Sequence, residues 1–115
     1  MAEIIQGTTP SINIALENDH IVDDITELSA TVVQGSLIIR KTLDDVLLDS
    51  ENNEICINLT EDDTLKLSAG VANVQIRYKL DCDDNIYASR KYPFRIYPLI
   101  VMEKFNGEGV EVNAW

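Results

Sequence analysis

An antiparallel β-sandwich of about seven strands with one short helical turn is the fold this chain predicts. Three observations lead there. Apolar residues recur at every second position through most of the chain, as in Ile12, Ile14 and Leu16 or Val74, Ile76, Tyr78 and Leu80, which is the period of a half-buried strand. Polar, turn-forming segments such as Gln34-Gly35-Ser36 and Ser50-Glu51-Asn52-Asn53 separate these runs at hairpin spacing. Only one segment carries helix-start chemistry, Thr60-Glu61-Asp62-Asp63, where a hydroxyl can cap free N–H groups and carboxylates sit at the positive end of the turn.

Taken in order, Gln6-Gly7-Thr8-Thr9-Pro10 punctuates the entrance to an edge strand, and residues 11–17 form that first strand. Asn18-Asp19-His20 reads as a turn, and 21–26 as a connection that is either loop or one helical turn. Residues 28–33 and 36–42 pair as a hairpin about Gln34-Gly35-Ser36. A second hairpin joins 46–49 to 54–59, with Ile55, Ile57 and Leu59 directed at the core. The Thr60-capped turn, seated by Leu65 and Leu67, then carries the chain from one sheet to the other. The long strand 71–80 follows, and 86–97 returns beside it after the turn Asp81-Cys82-Asp83-Asp84-Asn85. Within that return the even and odd positions compete for the core, and only Phe94 and Ile96 declare a face. Pro93 marks its end as an edge or a bulge, and Pro98 separates it from 99–105. Residues 8–16 and 95–101 are therefore the expected edge strands.

A chain of 115 residues supports one core, so the reading is a single sandwich domain over 1–105 and a C-terminal arm over 106–115. No run approaches the roughly 18 apolar residues that a membrane-spanning helix needs, and residues 1–6 show neither a basic n-region nor a long apolar stretch. No membrane association and synthesis in a cytoplasm are the expectations. Twenty acidic against nine basic residues give a formal charge of −11, which opposes attraction to phosphate backbones, so no nucleic-acid partner is expected. The acids gather at 17–27 and 44–63, where a solvated surface is the plain reading and a phosphate-mimicking inhibitor the sharper one.

Little here points to catalysis. The chain's single histidine, His20, lies beside Asp19 in an acidic turn and reads as a surface residue. No G-x-S-x-G elbow and no phosphate-binding glycine loop occurs. Residues 81–85 open like a calcium loop but place Ile86 and Tyr92 where a glycine and a bidentate glutamate are required. Cys56 and Cys82 lack the spacing and number of a zinc site and read as reduced thiols. No enzyme activity, cofactor or metal follows from these residues. The aromatic residues fit a contact surface better, and Tyr97, Phe105 and Trp115 are the candidate interaction residues, with Trp115 as an anchor for a neighbouring molecule.

The segments Gln6-Gly7-Thr8-Thr9-Pro10, Lys41-Thr42-Leu43-Asp44-Asp45, 59–67 and Val74-Gln75-Ile76-Arg77 resemble a family of small phage and prophage proteins of Gram-positive bacteria. The likeness runs from about residue 6 to 97, and that family is similar in outline to the N-terminal domain of phage upper baseplate proteins. The resemblance implies an immunoglobulin-like sandwich and a non-enzymatic role in a tail, baseplate or neck. It further implies phage structural proteins as partners, a homo-oligomer, and passage from the host cytoplasm into the virion. The alternative is an acidic phage-encoded inhibitor of a host defence protein.

Overall fold

The computed structural model describes residues 2–17, 19–82 and 84–100. Among them nine strands form two sheets. The strands are β1 (Ala2–Ile5), β2 (Ser11–Ala15), β3 (Ile25–Gln34), β4 (Leu37–Thr42), β5 (Val46–Asp49), β6 (Glu54–Asn58), β7 (Gly70–Leu80), β8 (Ile86–Ala88) and β9 (Tyr92–Tyr97). One helix, α1 (Glu61–Lys66), and two 3₁₀ turns at Val22–Asp24 and Leu43–Asp45 complete the described elements. The larger sheet runs β1-β9-β7-β3-β4, with β8 also paired to β7, and the smaller runs β2-β6-β5. The neighbours β9-β7-β3-β4 and β2-β6-β5 follow the G-F-C-C′ and B-E-D order of an immunoglobulin-type sandwich, so the fold class is the one the sequence predicts.

Alternation places the core between the sheets. Ile55 and Ile57 from the smaller sheet meet Ala30, Val32, Val74, Ile76, Phe94 and Ile96 from the larger one, all buried. Each of the Val, Ile and Phe side chains among them contributes roughly 1.5–3 kcal/mol by leaving water. The two hairpins form where turn chemistry placed them, β3 to β4 through Gly35 at φ 59° and β5 to β6 through Asn53 at φ 54°.

Two crossings tie the sheets together. Residues 6–10 carry the chain from β1 in the larger sheet to β2 in the smaller, and α1 carries it back from β6 to β7. Thr60 Oγ1 accepts the Asp63 N–H at 3.1 Å while the Asp63 carboxylate accepts the Thr60 N–H at 2.8 Å, a reciprocal cap at the start of α1. The crossings then bond to each other. The Thr64 hydroxyl, fully buried, accepts the Gly7 N–H at 3.0 Å and donates to the Thr8 carbonyl at 2.8 Å. The buried Gln6 donates through its side-chain amide to the Leu67 carbonyl and accepts the Leu99 N–H at 3.1 Å. Gly7 has φ 77°, and a Cβ there would stand 2.5 Å from Leu99 Cδ1.

Lys41 points inward from β4, an outer strand of the larger sheet, and its Nζ lies 2.6 Å from Asp63 Oδ2. An inward charge on an edge strand discourages further pairing there. Burial pushes the Asp63 carboxyl up, but hydrogen bonds from Lys41 and from the Thr60 N–H and hydroxyl outweigh it and hold the group below the ordinary 3.8.

Four expectations are corrected. The strand count rises because residues 2–5 add β1, which lies parallel to β9 with Ala2 opposite Phe94 and Ile5 opposite Tyr97. For the same reason the segment beginning at Arg95 is not an edge up to Tyr97: β9 is flanked by β1 and β7, and β1 is the outer strand. Residues 86–97 form two strands rather than one. The pairing of β7 with β8 (Arg77 opposite Ala88) and with β9 (Val74 opposite Tyr92) differs by one residue. Ser89 occupies the break, giving its N–H to the Ile76 carbonyl at 2.9 Å and accepting the Ile76 N–H on its hydroxyl at 3.1 Å. One extra residue reverses which positions face inward. Finally, His20 is half-buried, with Nδ1 2.6 Å from the Tyr78 hydroxyl and its ring 4.3 Å from that of Tyr87. Residues 101–115, with Phe105 and Trp115, lie outside the described residues.

Three outcomes follow. Ile76→Ala should lower stability by about 2–4 kcal/mol in denaturant titration by leaving a cavity. Gly7→Ala should cost about 1–3 kcal/mol, because a side chain is strained at positive φ; an unchanged midpoint would remove the crossing from the account. The Asp63 carboxyl is depressed in the folded state, so its contribution is present above the unfolded value and is lost as pH falls through the folded one. Asp63→Asn should be the less stable protein at neutral pH, and the gap should close below about pH 4.

Candidate interaction surface

The same alternation that buries one face of the larger sheet sends the other face to solvent. On β7 the outward positions are Val71, Asn73, Gln75, Arg77 and Lys79, and on β3 they are Glu27, Ser29, Thr31 and Val33. Register lines these up in rows. Ile38, Val33, Asn73 and Pro93 form one row, Arg40, Thr31 and Gln75 the next, and Thr42, Ser29, Arg77 and Ala88 the one after.

Two properties set this face apart. It gathers exposed apolar side chains: Ile5, Val33, Ile38, Val71, Ile86 and Tyr97 are all exposed and all on it. It also gathers positive charge. Arg40, Arg77, Lys79, Lys91 and Arg95 lie on or beside it, five of the nine Lys and Arg residues, against Glu3 and Glu27 of the twenty acids. In a chain of net charge −11 this is a local excess of positive charge on one face. Lys79 is 3.9 Å from Glu27, a long pair on an exposed surface that adds little stability. The short side chains in the middle rows leave a concavity of about 140 Å³ lined by Thr31, Val33, Asn73, Gln75 and Lys91. A second, of about 220 Å³, is lined by Glu27, Ser29, Arg77, Lys79 and Ile86.

The opposite side of the sandwich has the reverse character. From residue 43 to 59 no Lys or Arg occurs, while Asp44, Asp45, Asp49, Glu51 and Glu54 do. Asp49 and Glu54 stand directly opposite each other on β5 and β6, and the exposed Leu47 projects outward between the acids. Hydrogen bonds from the Asn52 side chain and backbone hold the Asp49 carboxyl below its ordinary value. Burial first, and then the Asp49 and Glu54 charges, push the neighbouring Cys56 thiol up.

Of the residues proposed for contact, Tyr97 lies on the basic face, 40% exposed, its hydroxyl donating to Glu3 Oε1 at 3.2 Å. Phe105 and Trp115 fall outside the described residues. Tyr78, Tyr87 and His20 form a separate cluster at the end of the sandwich, and burial raises the Tyr78 hydroxyl, with Tyr87 and Glu17 adding to the shift. The five cations do not form a patch in the sequence because they are scattered over more than fifty positions and converge only through strand register. A usable signal was present: Arg40, Arg77, Lys79 and Arg95 each sit at a strand position adjacent to a core residue. Among the described residues no group of three or more His, Cys, Asp or Glu is placed to hold a metal ion, and no helix is long and apolar enough to cross a membrane.

The fold and this surface define an immunoglobulin-type β-sandwich with oppositely charged sides. No family model matches the chain, and no curated protein matches it. Among solved structures it is similar to a Bacteroides vulgatus protein described as a "putative glycoside hydrolase", at 18% identity and a TM-score of 0.54. The likeness covers 86% of this chain and 17% of that one. It is a likeness of fold alone: the chain spans about a sixth of the larger protein.

Facing can be tested directly. Val33→Asp, on the outward side of β3, should change stability by no more than about 0.5 kcal/mol. Val32→Asp, one position away, should prevent folding by burying an unpaired carboxylate. Similar thermal midpoints for the two would contradict the assignment of the open face.

Proposed function

We propose that this chain is a non-enzymatic structural or assembly module of a bacteriophage tail, baseplate or neck, acting through protein–protein contacts. The observation that carries the contact role is the outer face of the larger sheet, where exposed apolar side chains and five cations share one surface of an acidic protein. Such a combination is suited to docking, since apolar area supplies affinity and complementary charge supplies orientation and rate. The phage assignment draws on the resemblance of four segments to phage proteins. Three of them meet in space: residues 6–10 bond to Thr64 and Leu67, and Lys41 to Asp63. Their contact with one another makes them a fold-bearing set in this reading, which supports kinship of architecture rather than of chemistry. Phage structural proteins are the proposed partners, and the host cytoplasm followed by the virion the proposed location.

The rival reading, an acidic inhibitor of a host defence protein, draws on the five acids of residues 43–59. One experiment separates the two. Particles released by inducing the strain that carries the gene should contain the chain at a fixed ratio to tail proteins when purified on a gradient and analysed by mass spectrometry. Abundant expression in the cells with none in the particles would overturn the structural reading.

A further inference from the structure

The two sides of the sandwich are complementary to each other, and that complementarity names a partner. Isologous pairing of the basic face with itself would set Arg40, Arg77 and Lys91 of both copies against like charge, which is unfavourable at close range. The side bearing β5 and β6 offers the opposite surface: Asp49, Glu51 and Glu54 on the hairpin, no cation between residues 43 and 59, and Leu47, 64% exposed, as an apolar projection. The basic face offers five cations, the exposed Val33, Ile38 and Val71, and the concavity beside Thr31, Asn73 and Lys91 in which a projecting side chain can rest.

We infer that the basic outer face of the larger sheet docks the acidic β5–β6 hairpin of a second copy, so that copies associate head to tail. This rests on the assembly reading above and specifies its partner. A heterologous contact of this kind leaves one unused face at each end, and therefore builds a ring where the rotation closes and a filament where it does not. The smaller sheet sets the contact area: three strands about 4.8 Å apart and about 17 Å long cover a patch well below that of a permanent interface. The contact is accordingly weak between two copies and salt-sensitive, and many copies held together would reinforce it.

The test uses the full chain and two variants. Arg40→Glu with Arg77→Glu disables the face, and Leu47→Lys with Glu51→Lys disables the hairpin; all four positions are exposed, and circular dichroism and thermal melting confirm that both variants fold. Sedimentation velocity at low ionic strength, up to about 1 mM protein, should show concentration-dependent growth of the unaltered chain, weakened at least tenfold at about 0.5 M salt. Each variant alone should remain monomeric. An equimolar mixture of the two should form a dimer that grows no further, because each supplies the surface the other lacks. A strictly monomeric unaltered chain overturns the inference, as does a mixture that stays monomeric or association that ignores both pairs of substitutions. Failure here with the chain present in particles would leave the assembly reading standing with a different partner; head-to-tail growth with the chain absent from particles would do the reverse.

Discussion

A sandwich whose chain changes sheets must pass polar backbone across the end of an apolar core, and here two such passages satisfy each other. Residues 6–10 leave the larger sheet after β1, and α1 returns to it after β6. Each alone would expose or strand N–H and C=O groups at the mouth of the core. Together they place the Thr64 hydroxyl between the Gly7 N–H and the Thr8 carbonyl, and the Gln6 amide between Leu67 and Leu99. The positive φ of Gly7 permits the close approach, and the Lys41–Asp63 pair secures the far side of α1 to β4. With this junction made, β1 is held parallel to β9 and both sheets keep their register across the core.

What the sequence disclosed is what alternation and turn chemistry encode. Ile55 and Ile57, Val74 to Leu80 and the Thr60 cap each state their role within a few residues, and the structure places them as read. What stayed hidden depends on distant pairing. β1 offers four residues with one buried side chain, Ile4, too little for a period, and it exists because β9 provides a ladder. The bulge at Ser89 erased the parity of 86–97, since Tyr87 before it and Phe94 after it face the same side from odd and even positions. His20 gave no sign of Tyr78, 58 residues away. The basic face was hidden for the same reason: its cations belong to three strands and one connecting segment.

Charge and fold are linked in this molecule. The acids that dominate its composition occupy turns and the smaller sheet's margin, where carboxylates cap N–H groups, as Asp45 does at Thr42 and Asp49 at Asn52. Five of the nine cations instead stand on or beside the open side of the larger sheet, while Lys41 turns inward to Asp63. The proposed assembly role makes use of this uneven distribution of charge.

The claim that the two crossings act as one unit is tested most directly by native-state hydrogen exchange. The amides of Gln6, Gly7, Leu59 and Asp63 donate to Tyr97, Thr64, Pro10 and Thr60 respectively, and the account predicts that they exchange only with global unfolding, at the same free energy as the amides of β3 and β7. Exchange of these four through a local opening, while the β3–β7 ladder stays fully protected, would show that the sheets hold together without the junction and would contradict the account.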